Sequence, residues 1–283
     1  MKKLLAFAIT ATLSLSLFAA DIFKYAPIKG NVKSYTETDF SIATRFGTLY
    51  RTPSSKVLHV FDSNGKETTS SELTPKDAII NSISTTYDTA GHLVEQLCTN
   101  ADGEVVWKNT YTYKNNLKVD ASEFDRKGNL RARTIYTYEN NRLTDESSYD
   151  GEGSLIWKTI YKYSDKGRLT NLSEYNPDGT LSEQLDYNYT DSGAIDSIAK
   201  YDAFVGKQTS MVFRYAANGT LSEITTYNTD KQVIKRTVIK YDSKGNVNKV
   251  SEYDVAEKFG STVNELTAMS EYNFEYSGSS DEK

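Results

Sequence analysis

The chain has very little cysteine, histidine and proline, and no large excess of charge of one sign. Its 283 residues include one cysteine, two histidines and four prolines, and the formal net charge is -5. A lone Cys98 excludes an internal disulfide, so stability must come from burial and hydrogen bonding. His59 and His92 lie far apart, with none of the usual metal-ligand spacings. The sequence therefore predicts no metal and no cofactor. The balanced charge lacks the excess of basic residues that is typical of nucleic-acid-binding proteins.

The chain begins with a segment that is typical of export. Lys2 and Lys3 precede an apolar run that ends at Ala20, which is the layout of a secretory signal peptide. We therefore expect residues 1–20 to be a signal peptide and the mature chain to lie in the periplasm, at the outer surface or outside the cell. No later segment is long and apolar enough for a transmembrane helix. The polar residues 277–283 are predicted to be a disordered tail.

Two series of aromatic residues repeat along the chain with a period of about 26 residues, which is typical of repeat architectures. The sequence between them alternates polar and apolar residues in short runs bounded by Asp, Asn and Gly, as in strands joined by tight turns. The first series is Tyr87, Tyr113, Tyr138, Tyr163, Tyr189, Tyr215 and Tyr241. The second series is Phe124, Tyr149, Tyr175, Tyr201, Tyr227 and Tyr253.

The turn "NPDG" at 176–179 predicts how the strands pair. Pro177 presets φ for the first corner of a type I turn, and Gly179 takes the left-handed conformation that completes a three-residue hairpin with a bulge. Asn176 then pairs with Thr180, and Tyr175 faces Leu181. The same geometry predicts four further aromatic–aliphatic pairs: Tyr163–Leu169, Tyr189–Ile195, Tyr215–Leu221 and Tyr241–Val247.

Strand alternation then predicts two different faces of the sheet. One face carries the tyrosines and leucines and forms the core side. The other carries charged residues and is expected to keep one apolar line. The charged residues are Lys158, Lys162, Arg131 and Arg133. The apolar line pairs Ile160 with Leu172, Val212 with Ile224 and Val238 with Val250.

The fold class predicted is all-β, a long coiled antiparallel sheet built as a meander of hairpins. Each repeat of about 26 residues supplies two strands, so fourteen to eighteen strands are expected. Tyr163 faces Leu169, and Leu169 faces Tyr187 through the next hairpin, whereas the repeat equivalent of Tyr163 is Tyr189. This stagger implies the strand tilt of about 35 to 45° seen in barrels and coiled sheets. The sheet is therefore expected to roll. Whether it closes around a cavity is left undecided by the sequence.

The units "YDTAGHL" at 87–93, "YSDKGRL" at 163–169 and "YDSKGNV" at 241–247 resemble the tyrosine-aspartate (YD) repeats of Rhs and teneurin proteins. The resemblance covers roughly residues 56–276. It implies a spiralling β-sheet that builds shells or extracellular scaffolds and is not itself enzymatic. The chain differs from that family in its longer and more regular period, in its small size and in lacking a core segment and toxin after the repeats.

The two ends carry modified repeats. Residues 30–47 resemble residues 245–260, and both are expected to shield open edge strands from other chains. The domain prediction is thus a cap over 21–55 and repeats over 56–276. Thr74 and Pro75 are placed as the cap and first residue of a short helix. These unique segments are also an alternative binding site, since loops on a rigid scaffold often carry function.

Four aromatic residues are the candidate ligand-binding residues: Trp107, Trp157, Tyr161 and Tyr187. Such side chains stack against sugar rings or bind an extended peptide, because they combine an apolar face with a polar handle. The competing interpretation is that they form the hydrophobic face of the sheet. Acidic turns with Asp150 and Glu152 supply too few oxygen ligands for Ca²⁺.

No catalytic motif is present, so the protein is predicted not to be an enzyme. Glu183 and Glu223 fall at related strand positions and are the pair considered for lining a cleft. The function predicted is a structural scaffold or binding module at the cell envelope or surface, with a glycan or an extracellular protein as the partner considered. The alternatives are a carbohydrate-active enzyme with a cleft in the sheet and an outer-membrane β-barrel.

Overall fold

The computed structural model describes residues 22–46, 48–202, 204–258 and 260–278. The predicted signal peptide and the predicted tail beyond residue 278 lie outside these residues. Among the described residues, no helix has the length and apolar character needed to cross a membrane. The elements are α1 (Ile22–Tyr25), β1 (Val32–Arg45), β2 (Thr48–Phe61), β3 (Glu67–Leu73), β4 (Ile79–Tyr87), β5 (Leu93–Asn100), β6 (Val105–Lys114), β7 (Leu117–Asp125), β8 (Leu130–Glu139), β9 (Arg142–Asp150), β10 (Leu155–Tyr163), β11 (Leu169–Tyr175), β12 (Leu181–Tyr189), β13 (Ile195–Asp202), β14 (Gly206–Tyr215), β15 (Leu221–Tyr227), β16 (Val233–Tyr241), β17 (Val247–Lys258) and β18 (Ser261–Tyr276).

The strands form one closed antiparallel barrel of 18 strands. Each strand pairs with the strands before and after it in the chain, and β1 closes the ring by pairing with β18, from Val32–Tyr276 to Ser41–Ala268. The prediction of an all-β meander of hairpins is confirmed, and the open question of closure is answered. The expectation that the terminal repeats shield open edges was wrong, because each terminal strand satisfies the backbone of the other.

The predicted hairpin geometry is also confirmed. The Asn176 amide donates to the Thr180 carbonyl at 2.9 Å, and Gly179 has a φ of 81°. Glycine adopts this left-handed conformation without a steric penalty. All five predicted aromatic–aliphatic pairs are present: Tyr175–Leu181, Tyr163–Leu169, Tyr189–Ile195, Tyr215–Leu221 and Tyr241–Val247.

The predicted apolar line on the charged face was wrong, because a β-bulge follows the hairpin pair. In β11 the pairing shifts at Thr170, so Tyr161 and not Ile160 pairs with Leu172. The equivalent shifts pair Phe213 with Ile224 and Ile239 with Val250. A bulge places two residues opposite one and moves every later side chain to the other face. The apolar line therefore belongs to the tyrosine face.

The short helix predicted at Thr74 and Pro75 was also wrong. The segment is a tight turn between β3 and β4, in which the Thr74 amide donates to the Ala78 carbonyl at 2.8 Å. Asp77 takes the left-handed position of this turn, with a φ of 65°. Asp tolerates that conformation better than most residues. The "TPKDA" stretch is thus turn chemistry of the same kind as "NPDG".

The predicted stagger is present in the register. Tyr161 lies opposite Leu172, and Leu172 lies opposite Leu185. The repeat equivalent of Tyr161 is instead Tyr187, two positions beyond Leu185. Strands in such a barrel tilt, and rings of about 16 to 18 strands leave a wide interior. The barrel therefore encloses a lumen.

The tyrosine face is the face that points into the lumen. One buried cluster unites Tyr35, Phe213, Ile224, Val250 and Tyr272, whose strands are β1, β14, β15, β17 and β18. Ile224 is 0% exposed and Tyr272 is 2% exposed. Side chains on the inner surface of a ring converge, whereas those on its outer surface diverge. We therefore call the face of these residues the lumenal face and the opposite one the outer face.

Residues 22–29 fill part of the lumen. The Phe23 ring lies 5.3 Å from that of Tyr272, and the Tyr25 ring lies 5.1 Å from that of Phe213. Asn246 fixes the end of this segment, since its side chain accepts from the Lys29 amide at 2.6 Å and donates to the Lys29 carbonyl at 2.9 Å. The segment thus covers the wall formed by β13–β18 and β1, where the core lies, and Tyr187 of β12 and Phe61 of β2 pack at its two sides.

Candidate functional site

The outer face is a hydrogen-bonded network of charged and hydroxyl side chains. Lys158 lies 2.5 Å from Asp145, which also accepts from the Ser147 hydroxyl at 2.8 Å. Further along the chain, Glu223 accepts from Arg236 and from Thr225. The same acid, hydroxyl and base arrangement occurs at Asp120, Ser122 and Arg133. The predicted position on this face is confirmed for Lys158 and Arg133. Other charged residues of the same strands, Lys118 and Glu146, lie on the lumenal face.

The first tyrosine series has a structural role at one end of the barrel. Tyr189 donates its hydroxyl hydrogen to the Leu169 carbonyl at 2.7 Å. Leu169 begins β11 and Tyr189 ends β12, and no turn joins these strands at that end. The bond therefore ties one hairpin to the next. Equivalent bonds, each spanning 20 residues, are made by Tyr87, Tyr138, Tyr215 and Tyr241.

All four predicted binding residues lie on the lumenal face, but they do not form one compact site. Trp107 pairs with Cys98 and Trp157 with Ser148, near one end of the barrel. Three strands separate the strands of the two tryptophans. Tyr161 and Tyr187 lie nearer the other end and are separated by β11. All four side chains are half-buried. They are therefore spread along one wall of the lumen.

The wall also carries residues that the sequence analysis did not single out. Tyr111 and Tyr136 are the repeat equivalents of Tyr161 and Tyr187, and we call these four residues the tyrosine row. Lys118 places its ammonium 4.2 Å from the centre of the Tyr136 ring, a favourable cation–π distance. Tyr111 donates to Gln96 at 2.6 Å. The signal that would have found Tyr136 and Tyr111 is their repeat position, one and two periods before Tyr161.

Glu146 lies at the centre of this wall. It pairs across the ladder with Tyr136 on one side and with Thr159 on the other, and it shares a hydrogen bond with Tyr161. Burial raises the pKa of its carboxyl group above the usual value, against the opposing effect of Lys118. Burial also raises the pKa of Tyr187, to about 12. These groups are thus partly removed from water, Tyr187 beside Tyr25 of the segment that fills part of the lumen.

The repeats provide an internal comparison for this wall. The lumenal position of Glu146 is occupied by Ile224 in β15 and by Val250 in β17, and that of Tyr161 is occupied by Phe213 in β14. The apolar versions lie under residues 22–29. Tyr111, Tyr136 and Tyr161 lie on the wall that this cluster does not include, whereas Tyr187 packs against the cluster. The position of Glu146 is apolar on the other wall too, with Ala121 in β7 and Leu172 in β11, so Glu146 is the exception among the strands compared.

The carboxylate pair considered for a cleft was wrong. Glu183 lies on the lumenal face, where it binds Lys200 at 2.7 Å, whereas Glu223 belongs to the outer face with Arg236. The acidic turn at Asp150 uses its carboxylate within the turn, accepting from the Ser154 amide at 2.8 Å. Within the described ranges, no group of three or more His, Cys, Asp or Glu side chains is placed to hold a metal ion.

Comparisons with known proteins give distant likenesses in fold. No family model and no curated protein matches the chain. A porin-like protein from Bacteroides uniformis is 14% identical, with 86% of this chain and 98% of that chain covered and a TM-score of 0.49. A porin-like protein from Bacteroides vulgatus is 10% identical, with 88% and 100% covered and a TM-score of 0.34. TcdB2-TccC3 without its hypervariable C-terminal region is 13% identical, with 80% of this chain but only 16% of that chain covered and a TM-score of 0.30.

Proposed function

We propose that the protein is an exported β-barrel that works in water and binds a polyhydroxylated ligand, such as an oligosaccharide, along the tyrosine row. The observation that carries the proposal is the division of the lumen. One wall is covered by residues 22–29 and pairs its own polar groups, such as Glu37 with Tyr272, whereas the other keeps half-buried aromatic rings beside Glu146, Lys118 and Gln96. Such walls bind sugars through ring faces and a few placed polar groups.

The proposed role is binding without catalysis, in a chain of the YD-repeat type. The repeats supply a rigid ring, and the ring places equivalent side chains at a regular spacing along the wall. A linear chain of similar units would match such a row better than a compact molecule would. Rigid strands also keep the rings ordered before binding, which lowers the entropy cost of association.

An outer-membrane channel is the second candidate, because closure of 18 strands gives the lumen of a large barrel. The outer face supports the first candidate. The strands from β3 to β16 have seven to ten residues, and their outer face carries ion pairs such as Lys207–Asp186 at 3.0 Å. One Arg or Lys at the centre of the lipid-facing band costs about 2–4 kcal/mol. A transmembrane strand also needs about 9–11 residues, a length that β3, β5, β11, β13 and β15 do not reach.

The test is a glycan array probed with the purified mature chain, residues 21–283, followed by calorimetric titration of any oligosaccharide that binds. The variants are Glu146→Gln and Tyr161→Ala. Ile160→Ala is the matched control, because Ile160 is the neighbour of Tyr161 on the outer face. We expect both lumenal variants to weaken binding at least tenfold and the control to leave it unchanged.

Two results would overturn the proposal. One is an array without binding by a chain that is monodisperse and unfolds cooperatively. The other is binding that Ile160→Ala weakens as much as Tyr161→Ala does. A mature chain that stays in solution only with detergent and conducts ions across planar bilayers would favour the channel instead.

A further inference from the structure

Exposed apolar side chains are concentrated at one end of the barrel. This end holds the turns that follow β1, β3, β5, β7, β9, β11, β13, β15 and β17, and we call it the Phe46 rim. Of the large exposed hydrophobic residues that the structure describes, only Ile135 lies in the middle of a strand. The others are Phe46, Leu49, Tyr50, Ile79, Ile80, Val105, Val106, Leu130, Leu181, Tyr201, Phe204, Val205 and Ile234. Scattered exposed residues are normal, but segregation to one rim indicates an interaction surface.

Among the residues that the structure describes, two turns at this rim carry an aromatic residue at their apex. Phe46 lies in the turn between β1 and β2, and Phe204 lies in the turn between β13 and β14. Both side chains are fully exposed. The hairpin projects beyond the rim, because β1 pairs with β18 only as far as Ser41 and β2 pairs with β3 only from Val57 onward. We call residues 42–56 the projecting hairpin.

Phe46 is also held in an unfavourable backbone conformation. Its φ is 52°, a left-handed value that is an outlier for a bulky residue. Two other tight turns of the barrel put Asn115 with Asn116 and Asn140 with Asn141 at this position, and Asn tolerates it. At Phe46 the ring gains no burial in return. The turn at Phe204 is fixed as well, since Asp202 accepts from the Phe204 amide at 2.8 Å.

We propose that Phe46 and Phe204 insert into the surface of a lipid bilayer that contains anionic lipid, so that the barrel stands end-on upon the membrane. Both apices are convex and project from separate turns, which suits a fluid apolar phase rather than a partner with matching pockets. Aromatic rings favour the bilayer interface.

The charge of the projecting hairpin fits an anionic surface, whereas other turns of the Phe46 rim add acidic residues such as Asp102, Glu152 and Asp202, so the attraction is local to the hairpin. Residues 41–61 contain Arg45, Arg51 and Lys56 and no Asp or Glu, although the whole chain has a formal net charge of -5. Arg51 and Lys56 are paired with Glu271 and Asp77 of neighbouring segments. Arg45 directly precedes Phe46 in the sequence. Basic residues beside an apolar tip are attracted to anionic headgroups.

The test is flotation of the mature chain with vesicles of phosphatidylcholine, with and without phosphatidylglycerol. The variants are Phe46→Asn, which places the residue of the two Asn-Asn turns at this position, and Phe204→Ser. Ile135→Asn is the matched control, because it removes an exposed apolar residue away from the rim. We expect binding to both vesicles, tighter binding to the anionic ones, and a loss of at least tenfold for the double variant.

Thermal unfolding separates a loss of binding from a loss of fold, since Phe46→Asn is expected to melt no lower than the parent chain. Vesicle binding that is absent in the parent chain, or equal in the double variant and in Ile135→Asn, would overturn the proposal. Concentration-dependent dimerisation without vesicle binding, abolished by the same variants, would also overturn it and assign the apices to a second copy of the chain. None of these outcomes depends on the glycan experiment.

Discussion

The hydrogen bonds from the first tyrosine series to carbonyl groups give the sharpest test of how the ring is held together. Tyr189→Phe removes one hydroxyl group and keeps the ring that pairs with Ile195. The Leu169 carbonyl then loses a donor at 2.7 Å. A hydrogen bond of this kind contributes about 0.5–1.5 kcal/mol. Because Tyr189 is only partly buried, we expect a loss near the lower end, about 0.5–1 kcal/mol.

The control for this change is Tyr175→Phe. Tyr175 belongs to the second series and pairs with Lys158 in the neighbouring strand β10. Its hydroxyl is not one of the groups that bridge two hairpins. The two substitutions remove the same atoms from the same residue type. The difference between them therefore isolates the bond to the carbonyl group.

Urea unfolding, followed by circular dichroism, measures the effect. We expect the midpoint for Tyr189→Phe to fall with an unchanged slope, which reports a change in stability without a change in exposed surface. In a thermal scan, about 1 kcal/mol corresponds to a shift of about 2–4 °C for a chain of this size. Equal midpoints for Tyr189→Phe and Tyr175→Phe would refute the reasoning, because the bond would then contribute nothing.

Three further predictions concern the core, pH and the thiol. Ile224→Ala should lower the free energy of unfolding by about 2–5 kcal/mol, and Ile160→Ala on the outer face by less, as measured with urea. Since the pKa of Glu146 is raised above 4.5 by burial, the folded chain binds this proton more tightly than the unfolded chain does, and stability is lost as pH rises through the raised value. Glu146→Gln should therefore stabilise the barrel more at pH well above that value than at pH below it; an equal gain would contradict this. Cys98 is buried, and burial raises its pKa, so a thiol reagent should modify it only at the rate of unfolding; fast labelling of the native chain would contradict its burial.

The local geometry of the repeats could be predicted because the residues of each turn determine the type of turn that forms. Pro177 and Gly179 fix one turn type, and that type fixes which residues face each other on either side of it. Tyr175 and Leu181 followed directly. The stagger followed as well, because it depends only on the difference between the repeat length and the distance across two strands. Both are properties of the chain that tertiary packing does not alter.

The bulge after each turn was missed although the sequence contains its signal. Apolar residues in these strands are three positions apart, as in Leu169 and Leu172 or Leu221 and Ile224. A regular strand would place such a pair on opposite faces. One extra residue between them, Thr170 or Ser222, brings both onto the lumenal face. An apolar spacing of three in a strand should therefore be interpreted as a bulge.

Closure could not be predicted, because it depends on contacts between residues that are far apart in the chain. The repeats indicate the tilt of each strand but not the point at which β1 meets β18. Several long-range bonds fix that point. Asn246 holds Lys29, and the Asp39 carboxylate accepts from Ser270 at 2.5 Å. These contacts lie outside the repeated pattern, so no neighbouring unit predicts the partners.

Glu146 is the strongest reason to look for a ligand in the lumen, because the other strands compared have an apolar residue at its position. A strand in this barrel tolerates Ile224 where another strand has Glu146, and Phe213 where another has Tyr161, so the ring does not require the polar residues. Placing a carboxyl group where burial raises its pKa costs stability. The apolar residue used elsewhere in the ring would avoid that cost. A carboxyl group that the fold does not need, kept at a cost to the fold, is best explained by what it contacts in the lumen.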